Sequence, residues 1–221
     1  VLTVLLLGAY AAAQLTAGGK ALHSLFGWSP QAGAFLVAAV VAVYCLAGGI
    51  RASIWTDATQ AVVMLGAMGL LLVTAIAGLG GPAASWARLE AVPGYTNWFP
   101  SGLLIPGLGG ILLFVVGWLF AGLSVIGQPH ILVRFMALDS PDRLWQARAW
   151  YYGFFTVFYA MATAVGLLSR IYLPELGSMD PELALPTMAQ ALLPPVLVGV
   201  ILAGIFAATM STADSLVLSC S

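Results

Sequence analysis

A dense group of small polar residues lies inside an apolar run near the carboxyl end of the chain. Residues 207–215 read AATMSTADS, and positions 208, 211, 212 and 215 have the spacing of one helix face. A freed carbonyl at Ala208, with the hydroxyls of Ser211 and Thr212, would offer the hard oxygen ligands that replace the water shell of a small cation. The alternative is that these hydroxyls bond the carbonyl one turn earlier.

Two acidic residues also lie in apolar runs. An aspartate at the centre of a membrane helix costs roughly 2.5–3.5 kcal/mol, so Asp214 needs a cation, a proton or a hydrogen-bond donor. Its helical position allows it to face the same interior volume as Ser211. Asp57 begins another run, where a helix N-terminal cap is the ordinary interpretation. Both acids are predicted in the cytoplasmic third of the membrane, so they could share one site.

A helix break is predicted at Gln128-Pro129-His130. Pro129 removes a backbone donor, and membranes tolerate the unpaired carbonyls of a broken helix only where they line a cavity. Gln128 and His130 could then bond a polar solute or a gate, whereas the alternative is an ordinary helix end with a capping histidine. No transition-metal site is expected, because His23 and His130 are far apart in the sequence.

The composition shows which elements carry these residues. Of 221 residues, 62% are apolar and 7% are charged, against roughly 25% charged in a soluble domain. A soluble enzyme, a disordered tail and a nucleic-acid-binding protein are therefore excluded. The apolar runs match a hydrocarbon core of about 30 Å and lack the alternation of barrel strands. They predict an all-α integral membrane protein with six transmembrane helices, at about 1–26, 31–49, 54–80, 103–126, 149–172 and 194–221.

The basic residues predict how this bundle is oriented. The alternate connections at Arg51 and at 130–149 carry most of them, which makes that side cytoplasmic. The first helix then runs outward and the last runs inward. On the other side, 81–102 is typical of an interfacial loop and 184–193 of a short helix, with a gate over an outward cavity as the alternative.

Three segments of the chain resemble the sodium:solute symporter family. They are GGIRASIWTDATQ (48–60), GQPHILVRFMALDSP (127–141) and AGIFAATMSTADS (203–215). The resemblance covers essentially the whole chain and is nearest to the bacterial sodium/proline symporter branch. It implies sodium-coupled secondary active symport of a small polar solute, with L-proline first, by alternating access across the cell membrane. The resemblance also implies that Na⁺ is the coupling ion and that neither an enzymatic reaction nor a nucleic acid is involved.

The resemblance also implies a fold. Relatives have the five-plus-five inverted-repeat (LeuT-type) architecture, and this chain would hold the third to eighth core helices. In that fold the third and eighth core helices correspond across the repeat and run in opposite directions, as the predicted orientation requires of the first and last helices here. Because the chain begins and ends inside apolar runs, we expect a single membrane-domain fragment, truncated at both ends, that packs against the remaining helices of a longer chain.

Site residues follow from the resemblance position by position. The sodium site would take Ala208, Ser211 and Thr212, and an additional cation region would involve Asp57, Asp214 and Ser215. Relatives often have a small residue at position 214, so Asp214 leaves the number of ions and a proton role open. The substrate pocket would take Tyr10, Gln128 and Pro129. Trp118 is added because Val125 and Ala121 stand where the proline branch carries aromatics.

Three alternatives remain at this point. The chain could belong to a symporter of another small organic solute, such as an organic acid or a vitamin. It could be the symporter-like sensor domain of a histidine kinase, which sequence beyond Ser221 would reveal. The third is an intramembrane aspartyl enzyme that uses Asp57 and Asp214, although their flanking residues do not resemble those of proteases.

Overall fold

The computed structural model describes residues 1–175 and 180–220, and every regular element among them is helical. Short 3-10 turns precede three of the helices: Ser124–Gly127, Pro141–Arg143 and Pro181–Leu183. Within these residues the α-helices are α1 (Leu2–Phe26), α2 (Pro30–Gly78), α3 (Pro82–Glu90), α4 (Leu108–Leu123), α5 (Pro129–Met136), α6 (Leu144–Tyr172), α7 (Ala184–Leu192) and α8 (Pro195–Cys220).

Over the described ranges, five helical segments are long and apolar enough to cross a membrane. They are α1, α2, α8, Leu108–Gly127 and Pro141–Tyr172. The prediction of an all-helical membrane protein is therefore confirmed. The number differs from the predicted six because the runs at 31–49 and 54–80 form one helical element, α2.

The helix α2 reverses its direction at Gly49. As a straight helix its 49 residues would extend about 74 Å, far more than one membrane crossing. Gly49 interrupts it with φ 54° and ψ −147°, a backbone conformation that side chains other than glycine rarely adopt. Val37 and Val63 line the same hollow against Phe206, although a straight helix would hold residues 37 and 63 about 39 Å apart. The halves 30–48 and 50–78 are therefore folded back on each other.

The helices α1 and α8 pack antiparallel. Ala11, in the first part of α1, shares an apolar cluster with Leu216 in the last part of α8. Leu22, near the end of α1, shares another with Leu202, near the start of α8. The first and last long helices therefore run in opposite directions, as the distribution of basic residues predicts.

The end of α1 and the start of α2 approach each other at backbone distance. A Cβ atom built on Gly19 would lie 2.3 Å from the carbonyl oxygen of Pro30, and one built on Gly33 would lie 2.9 Å from the Cα of Gly19. Small residues permit this kind of contact between membrane helices. The glycines at 19 and 33 thus fix the angle at which α2 leaves α1.

The largest apolar core lies between the second half of α2 and the helices α6, α7 and α8. Leu71 and Met188 are fully buried in it, together with Val165 and Ile201. The Tyr172 hydroxyl donates a hydrogen bond of 2.7 Å to the Ala75 carbonyl and ties α6 to α2. This core packs against the first half of α8, before the polar residues at 208–215.

Two segments differ from the sequence prediction. The helix α4 begins at Leu108, whereas the apolar run predicted a start near 103, and its only buried residue is Gly110. The stretch 81–102, predicted as an interfacial loop, contains the helix α3, which Pro82 starts. The short helix predicted at 184–193 matches α7.

Candidate ion and solute site

The chain is broken between α4 and α5 at Gln128. The 3-10 turn Ser124–Gly127 ends there, Gln128 is extended with φ −77° and ψ 123°, and Pro129 occupies the start of α5. Proline suits a first helical position, because its ring fixes φ and its missing N–H would have no helical partner there. The break lies where the sequence predicts it.

A cavity of about 540 Å³ lies beside this break. Gln128 and His130 at the break and Tyr10 of α1 line its polar side. The rings of Tyr10 and His130 meet edge-on, with their centroids 6.4 Å apart. The wall also includes Ser211, Thr212 and Ser215 of α8, and an aromatic row of Tyr151, Phe155 and Tyr159 on α6. The cavity thus combines hydroxyl oxygens with ring faces, which suits a small solute that has both polar and apolar parts.

The two predicted sodium-binding hydroxyls bond within their own helix. Ser211 and Thr212 donate to the carbonyl oxygen of Ala208 at 3.1 and 3.2 Å. This is the helical back-bond that the sequence leaves as the alternative to a cation site. It does not exclude a cation, because a hydroxyl that donates its proton keeps its oxygen lone pairs for another partner.

Ala208 is not among the residues that line the cavity beside the helix break. It lines a separate apolar hollow of about 190 Å³ with residues of α2 such as Met64 and Leu71. The carbonyl oxygen of Ala208 already accepts two side-chain hydrogen bonds. Of the predicted sodium ligands, the structure therefore brings Ser211 and Thr212 to the cavity, with Ala208 behind them.

The acids Asp57 and Asp214 meet at the guanidinium group of Arg134. Nη1 of Arg134 forms an ion pair with Oδ2 of Asp57, and its Nη2 lies 3.7 Å from Oδ1 of Asp214. Nη2 also donates to the hydroxyls of Ser53, at 3.0 Å, and Ser215. We call these five side chains the Arg134 network. It joins α5, α8 and the second half of α2.

The carboxyl group of Asp214 is completely buried, with an exposed fraction of 0%. Tyr44 donates to its Oδ2 at 3.0 Å, and the Ser215 hydroxyl lies 3.0 Å from its Oδ1. Asp57 is 15% exposed, and its Oδ1 has no hydrogen-bond partner in the described part of the chain. The two acids therefore have unequal surroundings, one well supplied with donors and the other held by the ion pair.

Sequence reasoning missed three members of this arrangement. Arg134 counted only as a basic loop residue that sets orientation, and Tyr44 and Ser53 were not singled out. The available signal was Arg134 itself, one helical turn beyond His130 in α5 and so able to extend from the helix break toward α8. No pattern in the sequence indicates the partner of Tyr44, which lies 170 positions away.

Trp118 does not line the cavity. Its ring packs edge-on against Phe114 at 6.3 Å, and the two line a shallow hollow on α4 with Gly117 and Ala121. Trp118 is 67% exposed. The structure therefore does not bring Trp118 to the cavity beside Tyr10, and its place in the substrate pocket stays a prediction. Pro129 shapes the cavity through the break and is not among its lining residues.

No metal-binding cluster is present over residues 1–175 and 180–220. Nowhere in these ranges do three His, Cys, Asp or Glu side chains lie close enough to hold an ion together. Near the end of α1, Nδ1 of His23 donates a 2.7 Å hydrogen bond to the carbonyl oxygen of Trp28.

A second group of ion pairs lies near the carboxyl end of α1. Nζ of Lys20 donates to Oδ2 of Asp180 at 2.8 Å and to Oε2 of Glu182 at 2.6 Å. The hydrogen bond from Lys20 lowers the pKa of the Asp180 carboxyl below its ordinary value. Gln190 of α7 donates to the carbonyl of Ser24 at 3.2 Å. Polar contacts therefore fasten α7 and the turn before it to α1.

The family model described as "Sodium:solute symporter family" matches residues 1–221. The chain is similar to the sodium/proline symporter of Salmonella typhimurium, with 34% identity over 96% of this chain and 42% of that protein. It is 36% identical to the sodium/proline symporter of Staphylococcus aureus over 93% of this chain and 39% of that protein.

A third relative is the osmoregulated proline transporter OpuE of Bacillus subtilis, 31% identical over 93% of this chain and 41% of that protein. The chain spans about two fifths of the length of the curated relatives it matches. No solved structure matches it significantly.

Proposed function

Because the chain belongs to the sodium:solute symporter family, as a multi-pass protein of the plasma membrane, we propose that it forms part of a sodium-coupled symporter whose solute is L-proline. The observation that carries this proposal is the cavity at the helix break. There the Ser211 and Thr212 hydroxyls lie in one wall with Tyr10 and Gln128. Names of relatives that refer to proline support the choice of solute.

Sodium binds first to the oxygen atoms of α8. The lone pairs of Ser211 and Thr212 supply two ligands, and the Ala208 carbonyl supplies a third when the hydroxyls turn from it toward the ion. Helices outside this chain complete the coordination shell. The cation then draws α8 toward those helices, which encloses the solute between α8 and the helix break.

The solute lies in the cavity between Tyr10, Gln128 and the aromatic row of α6. A ring face packs against an apolar body, and the Gln128 amide can donate to a carboxylate or accept from an amine. Sodium and solute stabilise the same closed state, so each raises the affinity for the other. Binding and release need no covalent chemistry, so the protein is a transporter and not an enzyme.

The architecture proposed for the complete protein is the five-plus-five inverted repeat with alternating access. The antiparallel packing of α1 and α8 supports it, since these would be the third and eighth core helices. The reversal of α2 at Gly49 supports six membrane crossings in this chain, with one in each half of α2. The exposed apolar side chains of α4, such as Leu112 and Phe120, would pack against lipid or the remaining helices.

The test is uptake of labelled proline by the complete protein in cells that lack their own proline transporters. Sodium outside is compared with choline, and Thr212→Ala with the unmodified protein. Uptake that requires sodium, and that needs a higher sodium concentration in Thr212→Ala, supports both the coupling and the ion site. Sodium-independent uptake by a protein shown to be in the membrane would contradict the proposal.

A second candidate is a symporter of another small organic solute. It is favoured by one observation: Val125 lines the cavity at a position where the proline branch carries an aromatic residue. The same assay without proline uptake, followed by competition with organic acids, would identify this case. The sensor-kinase alternative has no support, since each relative named above is a transporter.

A further inference from the structure

Two polar side chains at the helix break have no partner within the described chain. Gln128 and His130 both line the cavity, and over residues 1–175 and 180–220 neither side chain takes part in a hydrogen bond. The helix α5 begins without a side-chain cap, so within these ranges the structure shows no capping role for His130. Because partly buried polar groups in proteins are normally hydrogen-bonded, these two side chains are available to a ligand in the cavity.

The surroundings of His130 determine which of its ring nitrogens can meet a ligand. Nδ1 is buried and has no hydrogen-bond partner in the described part of the chain, and the ring packs edge-on against that of Tyr10. A proton on Nδ1 would have no acceptor, so the neutral ring carries its proton on Nε2. Nε2 is not enclosed in this way. Since His130 lines the cavity, Nε2 can donate a hydrogen bond to a molecule held there.

The charges around the cavity favour an anionic group near the break. Among the described residues that line the cavity, Arg134 is the only one with a charged side chain. Its ion-pair partners Asp57 and Asp214 do not line the cavity, so the Arg134 network presents its cation there. Gln128 and His130 also lie at the amino end of α5, where the aligned peptide dipoles favour negative charge.

The wall formed by α8 has the reverse character. Ser211 and Thr212 donate their hydroxyl protons to the carbonyl oxygen of Ala208, so their oxygen atoms have only lone pairs left for a ligand. The cavity therefore has acceptors on α8, which suit a cation, and donors at the break, which suit a carboxylate.

We propose that His130 is a solute-binding residue that donates a hydrogen bond from Nε2 to a carboxylate group of the solute, beside the Gln128 amide. This inference rests on the proposed function, because it concerns the solute of the same cavity, and it names the part of the solute that the helix break recognises. The substrate class is a small carboxylic acid in its ionised form, of which L-proline is one member.

The test compares two probes that differ only in the carboxylate. L-prolinamide keeps the ring and the nitrogen of L-proline and replaces the carboxylate with an amide. Each probe is added to the purified complete protein in sodium, and its apparent affinity is obtained from the rise in unfolding temperature, which requires no transport. In His130→Leu we expect the affinity for L-proline to fall about tenfold, as for the loss of a hydrogen bond to a charged group. The affinity for L-prolinamide should change little.

Two further variants separate the hydrogen bond from the packing of the ring, and they serve if His130→Leu does not fold. A glutamine amide can place a donor near the position of Nε2, whereas an asparagine amide reaches only the position of Nδ1. His130→Gln should therefore retain more of the affinity for L-proline than His130→Asn. The matched control is His23→Leu, which removes the hydrogen bond to Trp28 and should leave the difference between the probes unchanged.

The inference and the proposed function can fail separately. Equal losses for both probes in folded His130 variants, with sodium-dependent uptake intact, would overturn the carboxylate contact alone. If L-proline does not stabilise the protein, propionate and propionamide replace the two probes, and stabilisation by neither acid would overturn the contact. A preference for the acid that depends on His130, in a protein without sodium-dependent uptake, supports the contact and contradicts the proposed function.

Discussion

The hydroxyl of Tyr44 donates a hydrogen bond of 3.0 Å to Oδ2 of Asp214. The contact joins the first half of α2 to α8 and supplies the fully buried acid with a donor on the side away from Arg134. The same hydroxyl lies 3.4 Å from the carbonyl of Met210. A buried carboxyl group is tolerated only when donors or charges surround it, so this tyrosine is part of what keeps Asp214 inside the bundle.

Tyr44→Phe should lower the stability of the complete protein in detergent. Loss of a donor to a buried carboxyl costs about 1–3 kcal/mol, because no water replaces it at a fully buried site. The measurement is the midpoint of denaturant unfolding. Tyr152→Phe, at a residue that is 58% exposed, should leave the midpoint unchanged, and equal midpoints for both variants would contradict the prediction.

Thr212→Ala should lower the apparent affinity for sodium about tenfold, which corresponds to about 1.4 kcal/mol. The reason is the loss of one oxygen ligand in the cavity wall. The control is Thr74→Ala, since Thr74 makes the same back-bond, 2.8 Å to the carbonyl of Leu70, away from the cavity. The readout is the sodium dependence of uptake, and a similar change in both variants would show that only the helix was disturbed.

Gly49→Ala should destabilise the protein by about 1–3 kcal/mol, because alanine disfavours φ 54° at the reversal of α2. The space around the position is open, so the effect is conformational and not steric. Gly66→Ala lies in the same helix, also in open space and without a positive φ, and should be neutral or slightly stabilising, because alanine favours a helix more than glycine does. Thermal unfolding of both variants checks this, and equal losses would argue against a strained turn.

The Lys20–Asp180 contact should depend on pH only in strongly acidic solution. The folded pKa of Asp180 lies below the ordinary 3.8, so its contribution is present above about pH 4 and is lost as the pH falls through the folded value. Asp180→Asn should therefore reduce thermal stability equally at pH 5 and pH 8, and the difference should shrink below pH 4. A difference that changes between pH 5 and pH 8 would show that another group titrates.

Tyr10→Ala should weaken the apparent affinity for proline several-fold, whereas Trp118→Ala should leave it unchanged. Tyr10 forms part of the cavity wall and contacts the ring of His130, while Trp118 lies on the exposed side of α4. Competition between labelled and unlabelled proline measures both. A larger effect at Trp118 would mean that α4 turns toward the cavity in the complete protein.

The sequence predicts the all-helical membrane fold well because the bilayer imposes length and apolarity on every spanning helix. The shared depth of Asp57 and Asp214 also follows from their distances to the ends of their runs, and the structure brings the two together. The break at Pro129 is predicted for a local reason, since proline acts on its own backbone whatever the rest of the chain does.

The misses concern side-chain direction and contacts between distant segments. Trp118 lies about three helical turns before Pro129. The 3-10 turn at Ser124–Gly127 changes the winding between them, so helical spacing does not predict the direction of the Trp118 side chain. The sequence indicates Arg134 only as a basic loop residue, because α5 is too short to be predicted as a helix of its own. The turn without a loop at Gly49 combines two predicted helices into one element, which composition alone does not indicate.

The reversal of α2 without a loop also determines where the folded chain can be cut. A protease needs several residues of extended backbone in its active site, and at Gly49 helical residues stand directly on both sides. The stretch 91–107, between α3 and α4, has no regular helix and is largely exposed. Limited digestion should therefore divide the chain between α3 and α4 and leave the two halves of α2 on a single fragment.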